Sequence, residues 1–213
     1  MSYKEQVYKI ALDQILELYK ESRYNKDVDL FRIVDIINSV NDNQIKSKEW
    51  LIEKSLKYIT NKQNILVAGS WYGLLGRMLT EKNIDTKIFL VDSDPSSKHL
   101  AKRFNPNKNV KSKCCDVVDY FIQARKNITF DVIINTSCEH MEKGDIQLIN
   151  KLKPKDSVVI LQSNNYTEVN SHVNTSNSID DFVDYLKLSE VLFKDTLVTD
   201  NYERYMVIGK WKE

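Results

Sequence analysis

The chain has 213 residues, of which 42% are hydrophobic, so it is long and apolar enough for one α/β domain with a small extension and does not belong to the disordered class. Its 31 basic and 30 acidic residues leave a formal net charge of +1, so no global field favours nucleic acid or an anionic membrane. The first residues, MSYKEQVYKIALDQ, are too charged for a signal peptide, and no segment is apolar over a membrane-spanning length. We therefore expect a soluble cytoplasmic protein without a membrane partner.

Residues 1–60 are predicted to form a helical N-terminal extension. Apolar side chains recur there at helical spacing in three stretches, Asp27 is a candidate cap for the second helix, and no glycine or proline precedes Gly69. The apolar positions are Val7, Ile10, Ala11, Ile15 and Leu18, then Phe31, Val34, Ile37 and Val40, then Leu51, Ile52, Leu56 and Ile59. These helices could pack on a sheet, cover a ligand or form the surface of a homodimer.

Residues 61–213 have a different pattern, in which short apolar runs alternate with helical stretches. The predicted strands are Ile65–Ala68, Lys87–Val91, Val110–Cys114, Phe130–Asn135 and Ser157–Gln162. The predicted helices are Leu74–Lys82, Ser96–Arg103, Val117–Arg125 and Asp145–Leu152. Near-continuous apolar strands separated by helices indicate a parallel sheet that is covered on both faces.

The C-terminal part adds a helix and two more strands. Ser178 is a candidate cap for a helix that runs to about Phe193. Strands are predicted at Asp195–Thr199 and Arg204–Trp211, and because they are so close in sequence they must pair antiparallel. The predicted fold is therefore α/β, with a seven-stranded, mostly parallel sheet, helices on both faces and a reversed last strand.

The three cysteines give no disulfide or metal pattern. Cys114 and Cys115 are adjacent and would point to opposite sides of a strand, whereas Cys138 stands alone. This spacing fits neither a zinc site nor a disulfide framework, so we expect reduced thiols and no metal.

A glycine-rich turn follows the first predicted strand, in NILVAGSWYGLLGRML. Gly69 would let the backbone turn, and Gly73 would allow a ligand to approach closely. The spacing departs from the dinucleotide fingerprint G-x-G-x-x-G, because Trp71 stands where the second glycine would be. The turn predicts a bound nucleotide-like ligand, and the alternative is a tight strand–helix connection.

Two acidic residues are predicted at the same edge of the sheet. Asp92, in FLVDSDP, comes about twenty residues after the glycines, where a carboxylate can accept hydrogen bonds from ribose hydroxyls. Asp116, in CCDVVDY, could accept a hydrogen bond from the amino group of a base. Either residue could instead cap the helix that follows it.

The order of these motifs resembles that of class I S-adenosylmethionine-dependent methyltransferases. The resemblance covers about residues 60–213 and rests on the stretches ILVAGSWYG, VDSDP, CCDVVDYF, FDVIINTSCEHM and LKPKDSVVILQS, followed by the final strand pair. It implies S-adenosylmethionine as the cofactor. The cofactor-binding residues that it implies are Gly69, Ser70, Trp71, Tyr72, Gly73, Asp92, Ser93, Asp116, Val117 and Asn135.

The resemblance also assigns parts of the cofactor to these residues. Asp92 would hold the ribose hydroxyls, Asp116 the adenine amino group, and Asn135 would lie near the methionine end. The sequence departs from the family at Val67, where an acidic residue is usual, and at Trp71, where the middle glycine is usual. We hypothesise that Trp71 and Tyr72 wall the cofactor pocket and that loop amides replace the missing carboxylate.

Catalytic residues are predicted in NTSCEHM, after the fourth strand. His140 is a candidate general base, since an imidazole takes a proton near neutral pH, and Glu139 could orient it or contact the substrate. The alternative is a solvated loop histidine. The four residues from Asn135 lack the prolines and the aromatic of an Asn/Asp-Pro-Pro-aromatic motif, which argues against methylation of a base amine in DNA.

A long polar loop, in LQSNNYTEVNSHVNTSNS, follows the fifth strand. Long loops in compact domains are often functional, so we interpret this one as a substrate lid with Asn165, Tyr166 and His172 as substrate contacts. The alternative is a polar loop without a binding role.

The combined interpretation is methyl transfer to a small polar metabolite. An RNA or protein acceptor is the main alternative among enzymes, but it would need a basic patch, and KSKEW, KNVKSK and ARK are modest candidates. A non-catalytic protein that binds the cofactor or a nucleoside, an NAD-dependent enzyme, and transfer of the aminocarboxypropyl group also stay open.

Overall fold

The computed structural model describes residues 1–154 and 156–211. The helices are α1 (Tyr3–Ser22), α2 (Phe31–Ser39), α3 (Asp42–Ser55), α4 (Leu74–Thr80), α5 (Ser97–Phe104), α6 (Val117–Ala124), α7 (Lys143–Leu152) and α8 (Ile179–Leu186). The strands are β1 (Asn64–Ala68), β2 (Lys87–Asp92), β3 (Val110–Cys114), β4 (Val132–Asn135), β5 (Val158–Asn164), β6 (Glu190–Val198) and β7 (Glu203–Lys210). Short 3₁₀ turns lie at Leu56–Tyr58 and Cys138–His140.

The strands form one sheet in the order β3-β2-β1-β4-β5-β7-β6. Strands β1 to β5 are parallel, and β7 runs antiparallel to both of its neighbours. This confirms the predicted sheet with its reversed last strand. The strand order reverses direction at β1, where Ala68 lies opposite Val91 on one side and Asn135 on the other, so the carboxyl ends of β1, β2 and β4 meet at one edge.

The structure corrects two boundaries. The last helix does not run to Phe193, because it ends at Leu186 and is followed by Lys187 in the left-handed region, with φ 49°. Strand β6 therefore begins at Glu190 instead of Asp195, and Glu190 lies opposite Lys210 of β7. At the second N-terminal helix, Asp27 is not the cap, since α2 begins at Phe31.

The core has two layers, one on each face of the sheet, because successive side chains of a strand point to opposite faces. In β1, Ile65 and Val67 pack with helices α1 to α5, whereas Leu66 and Ala68 pack with α6, α7 and α8. The N-terminal helices thus share a core with the sheet, and Leu51 of α3 is fully buried there. Among the described residues, no helix has both the length and the apolarity to span a membrane.

Polar contacts also fix the N-terminal helices to the sheet. The Trp50 indole of α3 donates to Asp195 of β6 at 3.3 Å, and Arg103 of α5 forms an ion pair with Glu17 of α1 at 3.1 Å.

An open apolar groove of about 370 Å³ lies between α1 and α2, lined by Tyr8, Leu12 and others. It is formed by these helices and not by the strand ends.

Replacing Gly209 by alanine should destabilise the β6–β7 pair. A Cβ atom at this position would lie 2.4 Å from the backbone oxygen of Glu190 and 2.7 Å from Leu188 Cδ1, so the backbone would have to move. We expect Gly209→Ala to lower the free energy of unfolding by about 1–3 kcal/mol in denaturant titrations. The control is Gly144→Ala in α7, where a Cβ meets nothing within 4 Å. Equal stability of the two variants would contradict this account.

The buried Lys48 of α3 should make stability depend on pH. Burial, and after it the positive charge of Arg204, lowers the pKa of Lys48 from 10.5 to about 7. Below about pH 7 Lys48 is protonated in both the folded and the unfolded chain, so the full cost of burying its charge applies. Between the pKa of folded Lys48 and that of unfolded Lys48, the unfolded chain binds more protons, so the free energy of unfolding rises with pH.

Lys48→Met should therefore stabilise the protein at about pH 6, and its advantage should shrink towards about pH 9. Thermal unfolding of both proteins at the two pH values measures this difference. Lys46→Met changes an exposed lysine on the same helix and should show no such trend. An advantage that is constant with pH would argue against a buried, neutral Lys48.

Candidate functional site

The glycine turn closes over the ends of β1 and β2. The Ser70 amide donates to the Val91 carbonyl at 3.0 Å, and the Gly73 amide donates to the Ser70 carbonyl at 2.8 Å. Gly69 and Gly73 have φ of 62° and 75°, in the left-handed region where glycine carries no Cβ penalty. The backbone turn that the sequence predicts at Gly69 is thus confirmed, whereas the close approach of a ligand at Gly73 stays a prediction.

Trp71 adopts the same left-handed conformation, with φ 46°. For a residue with a Cβ this costs about 1–2 kcal/mol. The Trp71 ring stacks on the Tyr72 ring, with centroids 5.2 Å apart, and is partly buried against the core. The position where the family has its middle glycine therefore keeps the conformation of a glycine but carries an indole.

Asp92, at the end of β2, binds two loop amides. Its Oδ2 accepts from the Trp71 amide at 2.6 Å, and its Oδ1 accepts from the Asp94 amide at 3.0 Å. Burial raises the pKa of the Asp92 carboxyl, and the two amide bonds oppose this shift. Each carboxylate oxygen has a second lone pair, so the group can still accept hydrogen bonds from a ligand. Ser93, beside it, is exposed.

Helix α2 of the N-terminal segment contacts both the glycine turn and the loop after β2. Arg32 of α2 binds the Asp94 carboxylate through two guanidinium nitrogens, at 2.7 and 3.3 Å; burial raises the pKa of the nearby Tyr72 hydroxyl, and Arg32 opposes this shift. Sequence reasoning missed Arg32, because nothing in a helical segment with balanced charge distinguishes one arginine from another. The contact links α2 to the glycine turn and to the loop after β2.

Asp116 caps α6, as the alternative interpretation of this residue proposed. Its Oδ1 accepts from the Val118 and Asp119 amides at 2.8 and 3.0 Å, and the residue is exposed. Val117, the next residue, is buried. Both cap bonds use the same carboxylate oxygen, so the other oxygen can serve a ligand at this edge.

Asn135 stabilises the connection after β4. Its side-chain oxygen accepts from the Ser137 amide at 2.8 Å, its amide group contacts Met141 Sδ at 2.7 Å, and the residue is only 3% exposed. The Ser137 hydroxyl donates to the Gly69 carbonyl at 3.4 Å, so the loops after β1 and β4 touch. Asn135 therefore helps to fix the conformation of the loop after β4, which borders the candidate site.

Glu139 is a buried carboxylate, 3% exposed, in the Cys138–His140 turn. Its Oε1 accepts from the Asn164 amide group at 2.7 Å and lies 3.6 Å from the Arg204 guanidinium. Its Oε2 has no hydrogen-bond partner among the described residues. The Glu139 backbone carbonyl accepts from the Val173 and Asn174 amides, which anchors the polar loop on this turn.

His140 and His172 face each other across the polar loop. Their ring centroids are 4.5 Å apart and their planes are inclined by 82°. His140 Nδ1 lies 3.2 Å from the Ser171 carbonyl, and His172 Nδ1 lies 2.5 Å from the Tyr166 carbonyl. A carbonyl can only accept, so both Nδ1 atoms carry a proton, and in the neutral form of each ring the lone pair lies on Nε2. The His140 residue is exposed, but the protein packed around part of its ring lowers its pKa, and the Glu139 carboxylate opposes this shift.

The other two predicted substrate residues have partners within the protein. Asn165 Oδ1 accepts from the Glu203 amide at 2.9 Å, which ties the start of the polar loop to β7. The Tyr166 hydroxyl donates to Glu168 at 3.0 Å. Only His172, of the three, approaches His140 through its ring.

A buried polar cluster beneath the turn was not predicted. Arg204 of β7, 5% exposed, donates to the Thr136 carbonyl at 2.6 Å and to Gln162 Oε1 at 3.4 Å. Gln162 also accepts from the Ser47 hydroxyl of α3 at 3.3 Å. A signal was present in VVILQSNN, because the change from apolar to polar residues at the end of a buried strand marks polar groups that need partners.

The two halves of the site lie at the same edge of the sheet. Positive charge on His140 lowers the pKa of Asp92, which opposes the effect of burial on that carboxyl. Asp92 follows β2 and His140 follows β4, on either side of the β1 glycine turn. Ligands of open parallel sheets bind at such an edge, where the strand order reverses.

No protein-family model and no curated protein matches the chain. Solved structures do. An S-adenosylmethionine-dependent methyltransferase from Clostridium acetobutylicum ATCC 824 matches with a TM-score of 0.60 at 16% identity, over 85% of this chain and 98% of the other. The N-methyltransferase NodS from Bradyrhizobium japonicum WM9 matches with a TM-score of 0.60 at 10% identity, over 82% and 99%.

The N-terminal helices also have a structural counterpart. A mutant of MtNAS in complex with S-adenosylmethionine matches with a TM-score of 0.55 at 13% identity, over 95% of this chain and 72% of the other. The chain therefore has the Rossmann-like fold of class I S-adenosylmethionine-dependent methyltransferases.

The backbone strain at Trp71 can be measured with two variants. Trp71→Ala and Trp71→Gly both remove the indole, but only glycine removes the Cβ penalty of the left-handed conformation. We expect the glycine variant to be more stable than the alanine variant by about 1 kcal/mol in denaturant unfolding. If alanine were the more stable of the two, Trp71 would not hold this conformation in solution.

Proposed function

We propose that the protein transfers a methyl group from S-adenosylmethionine to a small polar acceptor at the edge formed by β1, β2 and β4. The observation that carries the proposal is that Asp92 and His140 follow β2 and β4, on either side of the β1 glycine turn, in a sheet with this fold. Asp92 would hold the cofactor, and His140 would face the acceptor.

The residues at this edge suit the cofactor. Asp92 keeps lone pairs for the ribose hydroxyls, and Ser93 lies beside it. Trp71 and Tyr72 would wall the methionine side, next to Gly69, Ser70 and Gly73. Asp116, Val117 and Asn135 would lie along the adenine and methionine ends, as the family resemblance implies. Val67 is buried in β1, so loop groups would have to replace the usual carboxylate.

When bound, S-adenosylmethionine supplies an activated methyl group and leaves as S-adenosylhomocysteine. The residues of the chain would provide orientation and proton transfer. The lowered pKa of His140 favours its neutral form, in which Nε2 has a lone pair that can accept the proton of a hydroxyl or ammonium acceptor. The buried carboxylate of Glu139 would then stabilise the charged ring.

The acceptor is proposed to be small because the polar loop borders one side of His140, whose ring is otherwise exposed. Backbone bonds from Val173 and Asn174 to Glu139 hold this loop, and His172 stands beside the proposed base. Asn165 and Tyr166, at the start of the loop, would contact the acceptor at its rim. A polymeric acceptor would instead need an open basic path, and the residues of this edge are mostly acidic, amide or imidazole groups.

Cofactor binding should depend on the Asp92 carboxylate. Calorimetric titration with S-adenosylmethionine, S-adenosylhomocysteine and NAD should show binding of the two adenosyl compounds and not of NAD. Asp92→Asn should weaken that binding by roughly 10-fold or more, since hydrogen bonds to a charged group contribute about 1.5–3 kcal/mol. The control is Asp85→Asn, at the amino end of β2, where an exposed carboxylate lies far from the proposed site.

The outcomes separate the candidate functions. No binding of either adenosyl compound would overturn the proposal, and binding without turnover would favour a non-catalytic binding protein. Where turnover occurs, S-adenosylhomocysteine as the product identifies methyl transfer, whereas 5′-methylthioadenosine identifies transfer of the aminocarboxypropyl group.

A further inference from the structure

We propose that Glu139, His140 and His172 form a binding site for one divalent transition-metal ion of the zinc class. One ring nitrogen of each histidine and a carboxylate oxygen of Glu139 lie within 4.8 Å of one another. Glu139 and His140 are adjacent in the Cys138–His140 turn, and the polar loop brings His172 to them from a distant part of the sequence. The three side chains converge at the acceptor side of the proposed active site.

Both imidazole rings are oriented as metal ligands usually are. A ligating histidine generally donates its other ring N–H to a carbonyl or carboxylate, which fixes the tautomer and the direction of the lone pair. His140 donates to the Ser171 carbonyl and His172 to the Tyr166 carbonyl, in each case through Nδ1. With Nδ1 engaged in this way, the nitrogen of each ring that can bind a metal is Nε2, and the two rings lie side by side.

Glu139 supplies the third ligand and an independent reason for an ion. Its Oε2 is buried and has no hydrogen-bond partner among the described residues, although the side chain is only 3% exposed. A buried, unsatisfied charged oxygen carries a desolvation cost that a partner would offset. Arg204 and Asn164 approach the other oxygen, Oε1, at 3.6 and 2.7 Å, so their contacts do not occupy Oε2.

The ligand set selects the kind of ion. Two imidazoles and one carboxylate with an open fourth position are a ligand set of catalytic zinc and of related transition metals. Magnesium and calcium prefer oxygen ligands, so this site should discriminate against them. Ligand atoms around a tetrahedral ion are about 3.3 Å apart when metal–ligand distances are about 2.0–2.1 Å, so the ion would draw the three side chains slightly together.

Ion binding does not depend on the proposed function, but its consequence does. An acceptor hydroxyl in the open position would lose its proton more readily, because a bound cation stabilises the oxyanion. The lone pair of His140 would then belong to the metal, and the proton would pass to water instead of to the ring. Without the ion, His140 would accept the proton of the acceptor; with the ion, His140 would bind the metal.

The test uses the full chain after treatment with a chelator. Calorimetric titration with Zn²⁺ should give one ion per chain, and Co²⁺ should produce the visible absorption bands of a low-symmetry site with nitrogen ligands. Losing a residue that only supports a metal ligand costs about 10–100-fold in affinity, so losing the ligand itself in His172→Ala or His140→Ala should lower the affinity about 100-fold or more. The chain has three histidines, and His99→Ala, which changes the exposed histidine of α5, should leave ion binding unchanged.

Circular dichroism of each variant separates a lost ligand from a lost fold. His172 lies in a surface loop, so His172→Ala should retain the spectrum of the parent protein. The proposal is overturned if Zn²⁺ does not bind saturably, if His172→Ala binds as tightly as the parent, or if His99→Ala abolishes binding. Equal affinity for Mg²⁺ would also overturn the assignment to the zinc class. Because these measurements use no cofactor, their result is independent of S-adenosylmethionine binding.

Discussion

The carboxylate of Glu139 is the group on which the acceptor side of the structure depends. A buried charge is tolerated only when it is paired and hydrogen-bonded, because its desolvation costs several kcal/mol. Glu139 meets this requirement through one oxygen only, because Oε1 accepts from Asn164 at the end of β5 and approaches Arg204 of β7, whereas Oε2 has no hydrogen-bond partner among the described residues. Its backbone carbonyl in turn holds two amides of the polar loop. One residue thus joins the turn after β4, the antiparallel edge of the sheet and the loop that carries His172.

Asp92 has the corresponding role on the cofactor side. It binds the amide of Trp71 in one loop and the amide of Asp94 in its own, so the carboxylate sets the separation of the loops after β1 and β2. The strain at Trp71 is tolerated because this bond and the stacking on Tyr72 offset it. The Asp92 side chain is both the proposed ligand-binding group and a support for the two loops. Asp92→Asn, which removes the charge and keeps the shape of the side chain, is therefore the informative replacement.

Much of the fold could be predicted from the sequence because the inner strands are short apolar runs between helices. The last helix was predicted too long, since Leu188, Val191 and Leu192 continue its apolar pattern and only pairing with β7 reveals that Glu190 starts a strand. Strand β6 lies at the sheet edge and is mostly only partly buried, so its alternation is weak.

The candidate site was predicted less completely, for a different reason. Asp92 and His140 follow strands whose carboxyl ends meet at one edge, so their placement follows from topology. Arg32, Gln162 and Arg204 act through contacts distant in sequence, which periodicity and motif spacing do not encode. The expectation of no metal rests on cysteine spacing, whereas His172 and His140 meet through a loop contact between segments distant in sequence, which spacing does not encode.

The ion pair between Arg32 and Asp94 extends the site into the first part of the chain. Arg32 belongs to α2, whereas Asp94 and Tyr72 belong to loops that flank the proposed cofactor. A ligand that orders these loops must therefore also favour the docked position of α2, by the same free energy with which docking of α2 favours the ligand. Amide hydrogens of α2 would then exchange more slowly when the site is occupied, although that helix need not touch the ligand. Hydrogen exchange in the N-terminal helix α2 would therefore report whether a ligand occupies the site.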